Sequence, residues 1–296
     1  MTNFQRPDLH ARGGLLIGLI GAQIGGSFSP QLHETEAREQ GFELHYRLLD
    51  ANVRGFTAAD LPRLLDAMCL VGFTGSNVTY PFKEAILPHL AGLSAEAAEI
   101  GAVNTIVLDP ARGWIGHNTD CLGFAASFRR DLAGAATGRV VLLGAGGAGS
   151  AVANGMLREG AQELLIIDRD HAKSNDLAAK LCNVFGQGRA RTAENLESVA
   201  GTFDGLINAT PIGMQGKPGV PFDIDLLSDK FWVSDIIYFP RETEMLKSAR
   251  LRGCRTMNGG GMVVFQAAEA FRIFTGISPD AGRMWRNFQL HTDNKA

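Results

Sequence analysis

Residues 139–149 read Arg-Val-Val-Leu-Leu-Gly-Ala-Gly-Gly-Ala-Gly, and residues 163–168 read Glu-Leu-Leu-Ile-Ile-Asp. The run 139–143 is short and apolar, the mark of a strand buried on both faces. The glycines that follow fill a G-x-G-x-x-G spacing at Gly144, Gly146 and Gly149. The first allows a tight turn, the second gives a pyrophosphate room, and the third lets helix and strand pack closely. A helix is expected from about 147 to 159, with an N-terminus suited to an anion, and a second strand over 163–167. Together they make a βαβ unit of roughly thirty residues, the context that the glycine spacing needs to carry weight. Asp168 ends the second strand, nineteen residues beyond Gly149. An acid there hydrogen-bonds ribose hydroxyls and repels a 2′-phosphate. A dinucleotide on Gly144, Ala145, Gly146, Gly147, Ala148 and Gly149 is therefore expected to be NAD in preference to NADP. Arg169 pulls the other way, since a guanidinium can hold a phosphate or stack on adenine. The plain alternative is a glycine turn that only packs a helix on a strand.

Outward from this unit, strand and helix alternate. Further strands are expected at 15–20, near 42–48, at 72–78, 103–108, 113–116, near 204–208 and at 231–236. The turn at Asp109-Pro110 makes 103–116 a hairpin. Ser29-Pro30 reads as an N-cap followed by proline in the first turn, opening a helix that stops near Gly41. Thr57 and Asp60 form a capping box ahead of Leu61, Leu64, Leu65 and Met68, which repeat at helical spacing. Residues 242–252 and 262–275 are also helical. The alternation predicts an α/β fold with parallel sheets covered by helices. At roughly 150 residues per domain, 296 residues suggest two domains. The change is expected near residue 119, where a helix starts, giving a first lobe over 1–118 and a second over 119–258.

Composition narrows the partners. Lys and Arg number 28 against 31 Asp and Glu, a balance that lacks the basic excess of a nucleic-acid binder. The apolar run 15–22 follows Arg6 and Arg12, but Asp8 interrupts the charged stretch and no small-residue cleavage site follows. It reads as a buried strand. No apolar stretch reaches 18 residues, so no membrane span is expected. The cysteines, at 69, 121, 182 and 254, are too widely spaced for a metal-ligand pair, and four reduced thiols in a cytoplasmic protein are expected. No metal is expected.

Several polar residues stand out. Ser27 and Ser29 flank Phe28 before a helix start, where two hydroxyls and helix amides suit a carboxylate. On local grounds Ser29 as a simple cap is the better reading. Lys83, two residues after Pro81, falls in the first turn of a helix, where the dipole disfavours a cation. That placement argues for a role other than helix stability and suits an amine acting as a general base. Asp120 opens a helix, as a functional carboxylate or a capping residue. Asn104 lies in an apolar strand, so its amide needs partners or faces a pocket. Gly259-Gly260-Gly261 before Met262 reads equally as a close approach to a ligand or a flexible helix start.

Taken together, Ser27-Phe28-Ser29-Pro30, Asn77-Val78-Thr79-Tyr80-Pro81-Phe82-Lys83, Gly101-Ala102-Val103-Asn104-Thr105, Gly116-His117-Asn118-Thr119-Asp120, the glycine turn, Asn208-Ala209-Thr210-Pro211-Ile212-Gly213-Met214 and Gln266 resemble the shikimate dehydrogenase family. The resemblance runs from about Leu15 to Arg283. Asp168, the His33-Glu34 pair and Tyr238-Phe239-Pro240-Arg241-Glu242-Thr243-Glu244 look most like its NAD-dependent quinate/shikimate branch. The resemblance implies an N-terminal α/β substrate-binding lobe and a C-terminal Rossmann lobe, with the helices beyond 259 returning to complete the first. It implies that Ser27 and Ser29 bind the carboxylate of a cyclohexane acid. Thr79, Asn104, Asp120, Tyr238 and Gln266 would contact the rest of the substrate, and Lys83 with Asp120 would be the catalytic pair. The glycine turn, Asp168, Arg169, Thr210, Gly261 and Met262 would hold the cofactor. The triple glycine departs from the family pattern. Three functions follow: NAD-dependent oxidation of quinate or shikimate, NADP-linked reduction of 3-dehydroshikimate, and a ligand sensor on the same fold. Either enzyme would act as a monomer or homodimer.

Overall fold

The structure is a computed structural model describing residues 14–293; Arg6, Asp8 and Arg12 fall outside that range. The elements run β1 (Leu15–Gly21), α1 (Ser29–Glu39), β2 (Leu44–Asp50), α2 (Ala51–Arg54), α3 (Leu61–Leu70), β3 (Phe73–Val78), α4 (Phe82–Ala85), β4 (Gly92–Leu93) and α5 (Ala95–Ile100). The hairpin β5 (Thr105–Asp109) and β6 (Gly113–His117) follows, then α6 (Asp120–Asp131), β7 (Arg139–Leu143), α7 (Gly147–Arg158), β8 (Glu163–Ile167), α8 (His171–Phe185) and β9 (Ala190–Thr192). The chain continues through β10 (Gly205–Asn208), β11 (Trp232–Asp235), α9 (Glu244–Leu251), β12 (Arg255–Met257), α10 (Gly260–Thr275) and α11 (Ala281–Asp293). It divides into two compact units, Met1–Thr119 with Gln266–Ala296, and Asp120–Phe265. The first turns of α10 thus fall in the second unit.

The first unit is built on a sheet of order β2-β1-β3-β5-β6-β4. β1 pairs in parallel with β2 and β3, and the antiparallel hairpin is joined to β3. The Asp109 carboxylate closes the hairpin turn by accepting the N–H groups of Ala111 and Arg112. Alternation along β1 sends Leu15, Ile17 and Leu19 to one core and Ile20 to the other. The returning segment completes the first of these. Phe271 and Phe274 of α10 pack with Tyr46 and Leu44, and a side chain at Gly75 would come 2.5 Å from the Phe274 ring. Glu36 is fully buried on α1 and accepts both Nε (2.9 Å) and Nη2 (2.7 Å) of Arg283 on α11, with the Asp280 N–H and the Gln40 amide. A charge this buried is tolerable only when it is paired and hydrogen-bonded throughout. His33 stacks on Tyr46 and Phe271, and burial pushes its pKa down to about 3, so it is a neutral core side chain. Its neighbour Glu34 accepts the Tyr46 N–H and ties α1 to β2.

The second unit carries a wholly parallel sheet of order β12-β11-β10-β7-β8-β9. Strands β7, β8 and β9 run outward on one side and β10, β11 and β12 on the other. The order reverses between β7 and β10, the place where open α/β sheets bind ligands. Alternation is clean: Val140, Leu142, Leu164, Ile166 and Ile207 face one core, and Val141, Leu143, Leu165, Leu206 and Val233 the other. Among the described residues no helix is long and apolar enough to cross a membrane. Cys121 and Cys254 are buried, Cys182 is half-buried and Cys69 is exposed.

Candidate active site

In the first unit, the sequence-selected residues gather at one edge of the sheet. Ser27 and Ser29 follow β1, Thr79 and Lys83 follow β3, Asn104 precedes β5, and Thr119 follows β6. Main-chain bonds join the edge: Thr79 N–H to Ile20, Val78 N–H to the Asn104 carbonyl, and Asn104 N–H to His117. Asn104 is almost fully buried and finds partners in the protein. Its amide donates to the Thr119 hydroxyl (2.9 Å), and its oxygen accepts the Thr119 N–H (2.8 Å) and the Thr105 hydroxyl (3.0 Å). Gln266 Oε1 lies 3.4 Å from the Thr119 hydroxyl and 3.5 Å from the Asn104 amide. Asn77 does similar work, donating to Thr105 and the Asn104 carbonyl and accepting the Tyr46 hydroxyl at 2.7 Å. Burial pushes the Tyr46 hydroxyl well above its ordinary pKa, against the pull of a hydrogen bond with Ser29.

Two local expectations change. Ser29 is the first residue of α1, with Phe28 at the cap position, and the Ser27 hydroxyl accepts the Ser29 N–H at 3.2 Å. The pair is therefore a short loop closed on itself, with each hydroxyl half-buried. Upstream, Asp50 fixes the loop by accepting the N–H groups of Gln23 (3.1 Å) and Ile24 (2.9 Å). Burial pushes the Asp50 carboxyl up, but the N–H groups of Ile24, Asn52 and Gln23 outweigh this and hold it below its ordinary value. Lys83 lies on α4, a single turn of four residues. So short a helix has little macrodipole, so the argument from a disfavoured cation falls away. The Lys83 carbonyl accepts the Val103 N–H, tying the turn to the segment before Asn104, and the Lys83 residue is half-buried.

In the second unit, the glycine turn, Asp168, Thr210, Tyr238 and Gly259 all follow the C-terminal ends of parallel strands. Gly144 has φ +99°, and a side chain there would strike the Ala209 backbone at 2.9 Å. A side chain on Gly149 would overlap the Gly144 carbonyl oxygen, whereas one on Gly146 would meet nothing within 4 Å. The turn thus has two packed glycines and one facing open space, as a pyrophosphate cradle requires. The first amides of the twelve-residue helix α7 have no intrahelical partner and are available to an anion. Asp168 is half-buried, accepting the N–H groups of Ala145 (2.7 Å) and Asp170 (2.9 Å). A carboxylate has about four acceptor positions, so capacity remains for two ribose hydroxyls. Arg169 is exposed beside it. These residues fit a nicotinamide dinucleotide.

The triple glycine has a packing cause that the sequence did not reveal. A side chain on Gly259 would overlap the Ile236 carbonyl, and one on Gly261 the Ser127 hydroxyl. Met262 packs partly buried against the same core. Tyr238 is 38% exposed. Burial of part of its ring still raises the hydroxyl pKa above its ordinary value. Asp120 is nearly buried as the first residue of α6, in the second unit, while Lys83 belongs to the first. Asp235 was missed: it is fully buried between Asn208, Ile237 and Thr243, and burial raises its pKa to about 6. The signal was available as an acid inside the apolar run 231–237.

Comparison with known proteins agrees with both halves. The shikimate dehydrogenase substrate binding domain matches residues 19–106, the shikimate/quinate 5-dehydrogenase domain 128–212, and the shikimate 5′-dehydrogenase C-terminal domain 259–286. A Streptomyces avermitilis protein named shikimate dehydrogenase (NADP(+)) is 47% identical over 271 residues, covering 91% of this chain and 93% of its own. The chain belongs to the shikimate dehydrogenase family. Its members are oxidoreductases acting on CH–OH groups. A Corynebacterium glutamicum family member named quinate/shikimate dehydrogenase (NAD(+)) is 42% identical over 276 residues, 93% of this chain and 98% of its own. The solved quinate dehydrogenase of C. glutamicum in complex with NAD superposes with a TM-score of 0.88 at 41% identity, over 93% of this chain and 99% of that one.

Proposed function

We propose that this family member oxidises a ring hydroxyl of quinate or shikimate with NAD, forming 3-dehydroquinate or 3-dehydroshikimate. The observation that carries the cofactor choice is the Asp168 carboxylate beside the glycine turn, bonded to the Ala145 N–H. An acid in that position takes ribose hydroxyls and repels a phosphate on them. The name and bound NAD of the C. glutamicum relative support the same reading.

Oxidation of a secondary alcohol removes a hydride and a proton. The bound dinucleotide supplies the hydride acceptor. The proton falls to Lys83, whose amine takes it from the hydroxyl and, as an ammonium, stabilises charge developing on that oxygen. Asp120 orients Lys83 and hydrogen-bonds a neighbouring hydroxyl. Ser27 and Ser29 take the substrate carboxylate, and Thr79, Asn104, Gln266 and Tyr238 its ring hydroxyls. Thr210, Arg169, Gly261 and Met262 complete the cofactor contacts. In the lobe assignment, 1–118 with 259–296 bind the substrate and 119–258 the dinucleotide.

Exposed Arg169 and the 47% identical NADP-named relative favour a second reading, NADP-linked reduction of 3-dehydroshikimate. Initial rates with quinate and shikimate, each against NAD and NADP, separate the two. Turnover of quinate with NAD is expected. Turnover of shikimate with NADP alone would overturn the NAD assignment, and silence in all four would overturn the substrate assignment and point to another substrate or to a ligand sensor.

A further inference from the structure

Asn208 and Asp235 are the last residues of two adjacent parallel strands and pair with each other in register. Both are fully buried. Asn208 shapes the loop after β10: its oxygen accepts the Thr210 N–H (3.0 Å) and hydroxyl (2.7 Å), and its amide donates to the Ile212 carbonyl (3.1 Å). The Thr210 hydroxyl in turn accepts the Ile212 N–H. This loop lies against the glycine turn, because Ala209 donates to the Leu143 carbonyl and its backbone fills the space beside Gly144. Asp235 shapes the loop after β11. One oxygen accepts the Ile237 N–H (3.1 Å), and the other the hydroxyl of Thr243 (2.8 Å), which caps α9. Besides the main-chain bonds from the Ile236 N–H to the Asn208 carbonyl (3.1 Å) and from the Gln215 N–H to the Phe239 carbonyl (3.4 Å), the two loops share a buried side-chain bond, from the Asn208 amide to Asp235 Oδ1 at 3.2 Å.

We infer that Asp235 is a positioning residue for dinucleotide binding, locking the Thr210 loop and the 236–243 segment into one fixed rim beside the glycine turn. The inference rests on the reading of this edge as the cofactor site. An acceptor-only carboxylate suits the place, since three donors converge on it, one from the end of β10 and two from the 236–243 segment. A fully buried acid disfavoured by its surroundings is a costly choice for mere packing, and burial raises its pKa to about 6. Removing it leaves the Asn208 side chain held from the Thr210 side alone, with only the main-chain bonds from Ile236 and Gln215 to keep the rim in register with the second loop.

The test is calorimetric titration of the purified full chain with NAD and NADH, alongside steady-state kinetics. Asp235→Ala is expected to weaken dinucleotide binding about tenfold or more and to raise the cofactor KM in parallel, with a much smaller change in the substrate KM. Asp235→Asn should restore binding to within about threefold, because its oxygen accepts from Asn208 and Ile237 and its amide donates to Thr243. Thr243→Val, which removes the bond to Asp235 together with the α9 cap while keeping the buried volume, should fall between them. Equal losses in both KM values, or no rescue by asparagine, would overturn the positioning role. Unchanged binding in Asp235→Ala would do the same. A wild-type chain that binds neither dinucleotide would overturn the reading of the site itself.

Discussion

At the edge of the first sheet, buried amides join the segments; at the edge of the second, bare backbone does much of the joining. Asn77 and Asn104 link Tyr46, Thr105, Thr119 and Gln266 through side-chain hydrogen bonds. In the second unit, Gly144 lies on Ala209, Gly149 on Gly144, and Gly259 on Ile236 with no side chain between. The first arrangement fails when a group is taken away, because donors are then left buried without water or protein to meet them. The second fails when a group is added, because close-packed backbone has nowhere to move. A ring carrying several hydroxyls is matched by directional side chains, whereas a pyrophosphate is matched by amides approached closely.

The largest effect is expected from adding mass at the second edge. Gly149→Val sets side-chain atoms against the Gly144 carbonyl, and should cost about 3 kcal/mol or more in urea unfolding, with loss of dinucleotide binding. A stability within experimental error of wild type would remove the close-packing argument. Lys83→Ala tests the chemistry assigned to the first edge. Turnover should fall about 100-fold or more while dinucleotide binding persists, and near-normal turnover would sink the assignment.

Asp235 is where the second edge behaves like the first, and pH shows it. Its folded pKa of about 6 lies above the 3.8 ordinary for an aspartate. The folded state therefore holds this proton more tightly than the unfolded chain. Its contribution to stability is full below pH about 4 and is lost as pH rises through about 6. The stability of wild type relative to Asp235→Asn should fall by on the order of 2–3 kcal/mol between those limits. A flat difference would place the carboxylate in water. Asn104→Leu keeps the volume but strands the Thr119 N–H and the Thr105 hydroxyl, for a loss of about 2 kcal/mol in denaturant melts. No loss would mean that water or Gln266 replaces the amide. The smallest effect is in selectivity. Asp168→Asn should move the ratio of kcat/KM for NADP over NAD upward by about tenfold, and an unchanged ratio would shift the choice to Arg169.

The strongly patterned parts of the fold were legible in the sequence. β7, the turn and β8 fall where the apolar runs and glycine spacing put them, since a buried parallel strand and a phosphate turn both leave dense local signals. β4, β9 and β12 are two or three residues long and carry no period to read. Ser29 and Lys83 were placed on the right segments, but the cap and the helix length depend on bonds to Ser27 and Val103. Asn104 announced itself as a polar residue in an apolar run, although its partners, at positions 105, 119 and 266, are a matter of tertiary structure. The pairing of Asn208 with Asp235 needed the strand register, which no local pattern supplies. Glu36 was invisible because its partner, Arg283, is far along the chain.

That last pairing bears on the order in which the protein is made. The second unit is one continuous stretch, Asp120–Phe265, while the first needs Gln266 onward to finish. On the ribosome, residues fold roughly as they emerge, so the β-sheet begun at Leu15 must wait with its Phe271 and Phe274 face uncovered while the whole second unit is synthesised. Glu36 meanwhile stays solvated, and only the arrival of Arg283 makes its burial tolerable. The first unit to be started is the last to be sealed.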